Sequence, residues 1–334
     1  MTTLDHTKTH VTKDHKHNSP LISCRFDPSG RYVFFGAQDS KVWRWEWAGD
    51  KKIELSGHDS WVRAMAFTPD GATIVTGGYD GRLVWWPVGD EQPTPARTIE
   101  AHRGWVRAVA ISPDGTLVAS AGNDNLVKLW NTSDGTLLHE LLGHERYVYN
   151  VAFHPDGKDL VSGDLMGNLV HWEVATGKKV RTFEAKSLHK YDTTFKADIG
   201  GLRGLKFDQT GKRLAGSGIT NVTNAFAGVG NPAITEFDWE STKETIQHVS
   251  KDKLKGAAWN LAFHPDGTVI GISGGGSGGF LLFWKADQKE EFHKFKLPNT
   301  ARDMDLSSDG LHLATAHYDK RLRICKMADK EQTK

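Results

Sequence analysis

The sequence predicts an all-β protein: a seven-bladed β-propeller of four-stranded antiparallel blades. Three observations carry this. Seven strand-like stretches each close on an apolar residue, namely Phe26, Phe67, Ile111, Phe153, Phe207, Phe263 and Leu306. Each is followed by a tight turn that includes Gly: Asp27-Pro28-Ser29-Gly30, Pro69-Asp70-Gly71, Pro113-Asp114-Gly115, Pro155-Asp156-Gly157, Gln209-Thr210-Gly211, Pro265-Asp266-Gly267 and Ser308-Asp309-Gly310. The copies recur at gaps of 41, 44, 42, 54, 56 and 43 residues. A period in the low forties with four short strands per unit marks a propeller blade.

The clearest unit shows how each strand is read. Trp105 to Ile111 alternates and is β-branched, and Leu117 to Ser120 follows the turn. Leu126 to Trp130 comes after Asp124, and Leu137 to Leu142 supplies a fourth strand after an Asp-Gly turn. On this pattern the blades fall at about 17–55, 56–99, 100–141, 142–184, 185–247, 248–296 and 297–327, in one domain spanning 1–334.

These residues resemble the WD-repeat family of β-propellers. The family pattern is Gly-His, a strand, a turn, Ser or Thr, Asp, then Trp-Asp. The resemblance implies a buried tetrad of His102, Ser120, Asp124 and Trp130, and equally of His58, Thr76, Asp80 and Trp86; both sets show offsets of 18, 4 and 6. A buried His needs both ring nitrogens paired, which Asp and a hydroxyl can do while an indole N–H donates onward. A set that repeats as a fold element reads as structural rather than as a nucleophile triad. Other units depart from it. The first has His17, Asp39 and Trp45 but Phe35 for the hydroxyl; the fourth has His144, Ser162 and Trp172 but Met166 for the Asp. The seventh keeps Thr315 and Asp319, lacks the His, and has Cys325 at the Trp position. Units five and six lose most of the tetrad. The third strand of unit five ends at either Phe237-Asp238 or Trp239-Glu240.

The last copy holds only three strands, and in the family an N-terminal strand commonly completes the last blade. Residues 7–13 are therefore expected to pair with Arg321–Met327, removing an open edge. His6, His10, His15 and His17 invite a metal reading, but at strand spacing an exposed polar face is the expectation, with no metal and no cofactor.

Composition narrows the function. Lys plus Arg number 42 against 41 Asp plus Glu, so no basic excess argues for nucleic acid or an anionic membrane. With no apolar run of membrane-spanning length and no secretory start, a soluble, monomeric, cytoplasmic protein is expected. Cys24 and Cys325 are too few for a disulfide framework, and Cys24 reads as a small core residue.

In a propeller the first strand of each blade lines the channel. The Gly turns lie on one face, the bottom; the loops entering strand one and joining strands two and three lie on the top. Four residues before each closing apolar residue stand Ile22, Arg63, Arg107, Tyr149, Arg203, Trp259 and Arg302. Six before stand Pro20, Trp61, Trp105, Tyr147, Gly201, Ala257 and Thr300. Just before the turn Asp come Gln38, Tyr79, Asn123 and Tyr318, with Leu165 in the fourth unit. The resemblance implies that these positions ring the top mouth and contact partners. Arg, Trp and Tyr dominate binding hot spots, and converging guanidinium forks suit carboxylate or phosphate. The contrary expectation is that each Arg pairs with a neighbouring blade's Asp or Glu.

Extra residues at 185–199, 219–232 and 247–256, and a glycine run at 274–279, all interrupt top loops and are expected to raise a wall over one sector. The glycine run reads as a flexible loop before it reads as a phosphate cradle. The resemblance implies a non-enzymatic scaffold for a peptide or protein partner, acidic or phosphorylated given the arginines. Two other classes stay open. One is a small-molecule or anion sensor in the same pocket. The other is a metal-dependent hydrolase or lactonase, which needs inward carboxylates, Asn or His where this ring offers Arg and aromatics.

Overall fold

A computed structural model describes residues 3–194, 196–224 and 229–330. Residue 195 and residues 225–228, parts of two expected insertions, lie outside the described residues. The described residues form seven antiparallel four-stranded sheets and one two-stranded ribbon. The first strands of blades 1 to 7 are Leu21–Phe26, Val62–Phe67, Val106–Ile111, Val148–Phe153, Gly204–Phe207, Ala257–Phe263 and Ala301–Leu306. Each packs on the next and the last packs on the first, so the ring closes. One buried apolar cluster fills each of the seven seams between blades. Trp45, Trp86, Trp172 and Trp284 are the largest fully buried side chains. The seven bottom-turn glycines hold φ between 67° and 89°, a region that only Gly enters without strain, which explains why the turn residue repeats.

Closure follows the expected pairing, with the closing strand's bounds shifted. The closing strand is Thr9–Lys16 rather than 7–13, running from Thr9 opposite Met327 to Lys16 opposite Arg321. Residues His6–Lys8 instead form a 3-10 turn, capped by Asp5 accepting from the Thr7 N–H at 2.9 Å. The four N-terminal histidines do not form the expected exposed polar face, because His6 and His17 are buried. His6 reaches Asp266, His15 reaches Asp50, His17 reaches Asp39, and His10 Nδ1 lies against the Lys8 carbonyl.

Both complete tetrads form. His58 Nε2 lies 2.8 Å from Thr76 Oγ1 and Nδ1 3.0 Å from Asp80, while the Trp86 indole donates to Thr76 at 2.9 Å. His102, Ser120, Asp124 and Trp130 repeat this at 2.7, 2.8 and 2.9 Å. Blade 4 has the same network with Asp164 in place of the missing Asp, 3.0 Å from His144 Nδ1. Asp164 pairs across the ladder with Val148 as Gly78 does with Val62 and Gly122 with Val106. A Cβ built on Gly78 or Gly122 would strike the tetrad His. A carboxylate grafted there reaches the same imidazole from two residues earlier. His317 occupies this position in blade 7, opposite Ala301, and its Nε2 lies 2.9 Å from Thr315 Oγ1. The imidazole missing from the usual place is thus supplied by the strand itself. In blade 1, where Phe35 replaces the hydroxyl, the Trp45 indole donates to Asp50 and Trp43 donates to Asp39.

The third strand of blade 5 ends at Asp238, with Phe237 in the Trp position opposite Leu214; its fourth strand runs to Val249. Both cysteines are buried thiols, and burial pushes Cys325 up to about 12. Among the described residues no helix is long and apolar enough to cross a membrane.

Candidate functional site

The ring residues reach the channel mouth through a local irregularity of the ladder. In blades 1, 2, 3, 4, 6 and 7 the pairing of strands one and two skips one residue: Ile22, Arg63, Arg107, Tyr149, Trp259 and Arg302. These are the positions four before the closing residue. An extra residue in one strand kinks it and re-aims a side chain. Arg203 comes just before the first strand of blade 5, its N–H donating to Ser217 at 2.7 Å. Five blades then bring two further positions together by one backbone bond: Gln38 N–H donates to Pro20, Tyr79 to Trp61, Asn123 to Trp105, Leu165 to Tyr147 and Tyr318 to Thr300. In these five blades the residue six before the closing position and the residue before the turn Asp thus adjoin.

Arg107 sits deepest in aromatic company. Its guanidinium carbon is 4.5 Å from the Trp105 ring centroid, 4.7 Å from Tyr149 and 5.3 Å from Tyr79. Its Nε donates to Asn123 Oδ1 at 2.7 Å. Arg203 lies 5.1 Å from Tyr149 and 5.6 Å from Trp259, Arg63 5.5 Å from Trp259, and Arg302 4.7 Å from Tyr318. Tyr79 and Trp105 stack in parallel at 4.2 Å, and Trp61 adjoins Tyr79 at 6.1 Å. Trp61, Trp105, Tyr147 and Tyr318 remain 38, 42, 44 and 51% exposed, which leaves aromatic surface for a docking partner.

Charge is arranged in two tiers along the channel. Lower down, the cations are neutralised: Arg25 pairs with Asp303 at 2.6 Å and Lys206 with Asp305 at 3.6 Å. Asn260 adds a bond to Asp303 at 2.7 Å. At the mouth, among the described residues, Arg63, Arg107, Arg203 and Arg302 make no ion pair within 4.0 Å. The expected pairing with neighbouring acidic residues is absent there. Arg203 Nε is buried with no hydrogen-bond partner. Burial, reinforced by the charges of Arg63 and Arg107, pulls the Arg203 pKa below the ordinary arginine value, and burial does the same to Arg302. A cavity of about 400 Å³ opens beneath, lined by Arg63, Arg107, Tyr149, Arg203, Asn260 and Asp303 among others.

The insertions build a wall beside this mouth. A ribbon of His189–Asp192 and Ala197–Gly200 stands against the lengthened strand Arg213–Asn224. Lys190 Nζ donates to the Val222 carbonyl at 2.9 Å. Ile199, Ile219, Val222 and Ala257 pack around Trp259, so the wall backs one ring residue directly. The glycine run lies in paired strands, Val269–Gly275 and Gly278–Trp284, rather than in an open loop. Gly275 pairs with Gly278 in a tight hairpin, and Ser277 exchanges bonds with the Lys255 backbone. Gly275 is required there because a Cβ would lie 2.5 Å from Gly256 Cα.

The model of the WD domain, G-beta repeat family matches residues 7–46, 49–87, 93–131 and 135–172. With seven closed blades and the His–Ser/Thr–Asp–Trp networks, this settles the family. The chain is a WD-repeat protein. It is similar to a chromatin assembly factor 1 subunit of Mus musculus, 24% identical over 246 residues, covering 69% of this chain and 36% of that one. It also matches the periodic tryptophan protein 2 homolog of Schizosaccharomyces pombe, 26% identical over 166 residues, covering 48% and 14%. Nuclear distribution protein PAC1 of Arthroderma benhamiae is 31% identical over 77 residues, covering 22% and 17%. The chain thus spans about a third or less of these relatives' length. The four matched repeats cover blades 1 to 3 and most of blade 4, where tetrad residues persist. Blades 5 to 7 of this WD-repeat protein keep the fold with altered networks.

Proposed function

We propose that this WD-repeat protein is a non-enzymatic scaffold that holds a peptide or protein partner over the top mouth of its channel. The docking segment carries carboxylate or phosphate groups. One observation carries the reading: four guanidinium groups crowd the mouth without an ion pair among the described residues, while the cations lower in the channel are paired. Like charges held together away from water are costly, and an arriving anion would relieve that cost with charge-assisted bonds. Trp61, Tyr79, Trp105 and Tyr147 would supply the apolar contact area around it. The name of one relative, a subunit of a chromatin assembly factor, agrees with work inside protein assemblies. We place the protein in the cytoplasm as a monomer in the absence of its partner.

The cavity under the arginines supports a second reading, binding of a small free anion. Affinity capture comparing wild type with Arg63→Glu/Arg107→Glu separates the two, alongside calorimetric titration with pyrophosphate. A partner lost by the double variant, without tight pyrophosphate binding, supports the scaffold. A partner retained by a folded double variant removes it.

A further inference from the structure

The fold carries His6 to the bottom of blade 6, where it meets two residues of the turn His264-Pro265-Asp266-Gly267. His6 Nε2 lies 2.9 Å from Asp266 Oδ2, and His264 Nδ1 lies 2.8 Å from Asp266 Oδ1. The three groups can each offer one ligand atom within 4.8 Å of the others. Both imidazoles are buried, while the carboxylate is 36% exposed and open to solvent.

The outer nitrogens decide where the protons go. His264 Nε2 is 2.9 Å from the Gly310 carbonyl, and His6 Nδ1 is 3.3 Å from Met327 Sδ. Carbonyl and thioether accept hydrogen bonds and cannot donate them. Each neutral ring has one N–H, and these contacts draw it outward. The inner nitrogens then turn their lone pairs toward a carboxylate, so three electron-rich groups converge. The Asp266 N–H, 3.2 Å from His264 Nδ1, offsets this for one ring only. Charging both buried rings against one carboxylate would cost desolvation twice.

We propose that His6, His264 and Asp266 form a binding site for a divalent transition ion of the zinc class. Two imidazoles and a carboxylate are zinc donors, and a water would take the fourth position. Ligand bonds of about 2.0–2.2 Å need the inner atoms to open to roughly 3.3 Å apart for a tetrahedron. Asp266, on a surface turn, can make that adjustment. The outer contacts hold the rings in the tautomer that ligation requires.

Blade 4 provides an internal control. Its turn His154-Pro155-Asp156-Gly157 repeats the geometry, with Nε2 3.1 Å from the Gly211 carbonyl and Nδ1 2.8 Å from Asp156. The third group there is Asp159, already bound to His171 at 2.7 Å. The turn is thus a feature of the fold, and His6 is what turns the blade 6 copy into a site. An ion bound there would join the N-terminal segment that closes the ring to a blade it does not otherwise belong to.

The test uses the full chain, stripped with chelator and titrated with zinc chloride by calorimetry, with thermal melts in parallel. Wild type should take up one saturable equivalent, and its Tm should rise with the logarithm of zinc concentration once the site is filled. His6→Ala and Asp266→Asn should each abolish both effects, and His154→Gln should leave both intact. Should His6→Ala fail to fold, Asp266→Asn decides alone. No saturable uptake by wild type, or uptake and melting shift unchanged in Asp266→Asn, overturns the proposal.

Discussion

His144 is buried against Trp172, so both ring nitrogens must find partners inside the protein. Ser162 takes one and Asp164 the other. Asp164 also accepts the Met166 and Asn168 N–H groups and the Asn168 side chain. Asp164→Ala should therefore destabilise the protein by about 2–4 kcal/mol, through an unpaired buried imidazole and lost loop bonds. Met166→Ala, at the position the spacing assigns to the Asp, should cost less than about 1 kcal/mol. Urea unfolding of the two variants checks the ranking. Burial alone would raise the carboxyl pKa of Asp164, but the bonds from His144 and Asn168 more than offset it and hold it below the usual range; Asp80 and Asp124 behave alike through His58 and His102. A depressed folded-state pKa stabilises above the unfolded value of about 3.9 and is lost as pH falls through the folded one. Stability should thus decline as pH drops below about 4, and Asp164→Asn should flatten that slope in acid titrations followed by fluorescence. The substitution was hidden because spacing aligns residues along a strand, whereas Asp164 and His317 act from a ladder position that Gly78 and Gly122 leave empty. The visible sign was an acidic residue where units two and three carry Gly.

Among the elements, the closing strand has the most to lose. Removing residues 3–16 leaves Arg321–Met327, with its buried Leu322, Ile324, Cys325 and Met327, as an unpaired edge. Open edges recruit other chains. The truncated protein should melt at least about 5 °C lower and show oligomers by light scattering; a monodisperse truncation with unchanged Tm would mean that the ring closes without this strand. The turns made the seven units legible because their chemistry is local: each needs a Gly at positive φ whatever surrounds it. The bulges that aim Arg63, Arg107 and Arg302 were not legible. A single unpaired residue leaves no mark in an alternation already interrupted by the channel. The ribbon over blade 5 escaped for a related reason, since His189–Asp192 and Ala197–Gly200 are short, polar and paired only with each other.

Over the whole molecule the charges nearly cancel, 42 basic against 41 acidic residues, so the field at the mouth comes from placement rather than excess. Arg203 is where that placement conflicts most with stability: its Nε is buried and unbonded, and Arg63 and Arg107 face it. Replacing it by Met keeps most of the contact with Tyr149 and Trp259 while removing a poorly solvated cation. If the arginines serve a partner rather than the fold, Arg203→Met should leave stability unchanged or raise it by about 1 kcal/mol or more. Binding of the captured partner should weaken, and its dependence on salt should flatten because fewer charges are brought together. Arg25→Met is the matched control from the lower tier. It leaves Asp303 without its ion pair and should destabilise by about 2–4 kcal/mol. Thermal melts and affinity measured at two salt concentrations give all four values. A fall in Tm for Arg203→Met as large as for Arg25→Met, with partner affinity unchanged, would place the mouth arginines among the structural residues of the ring.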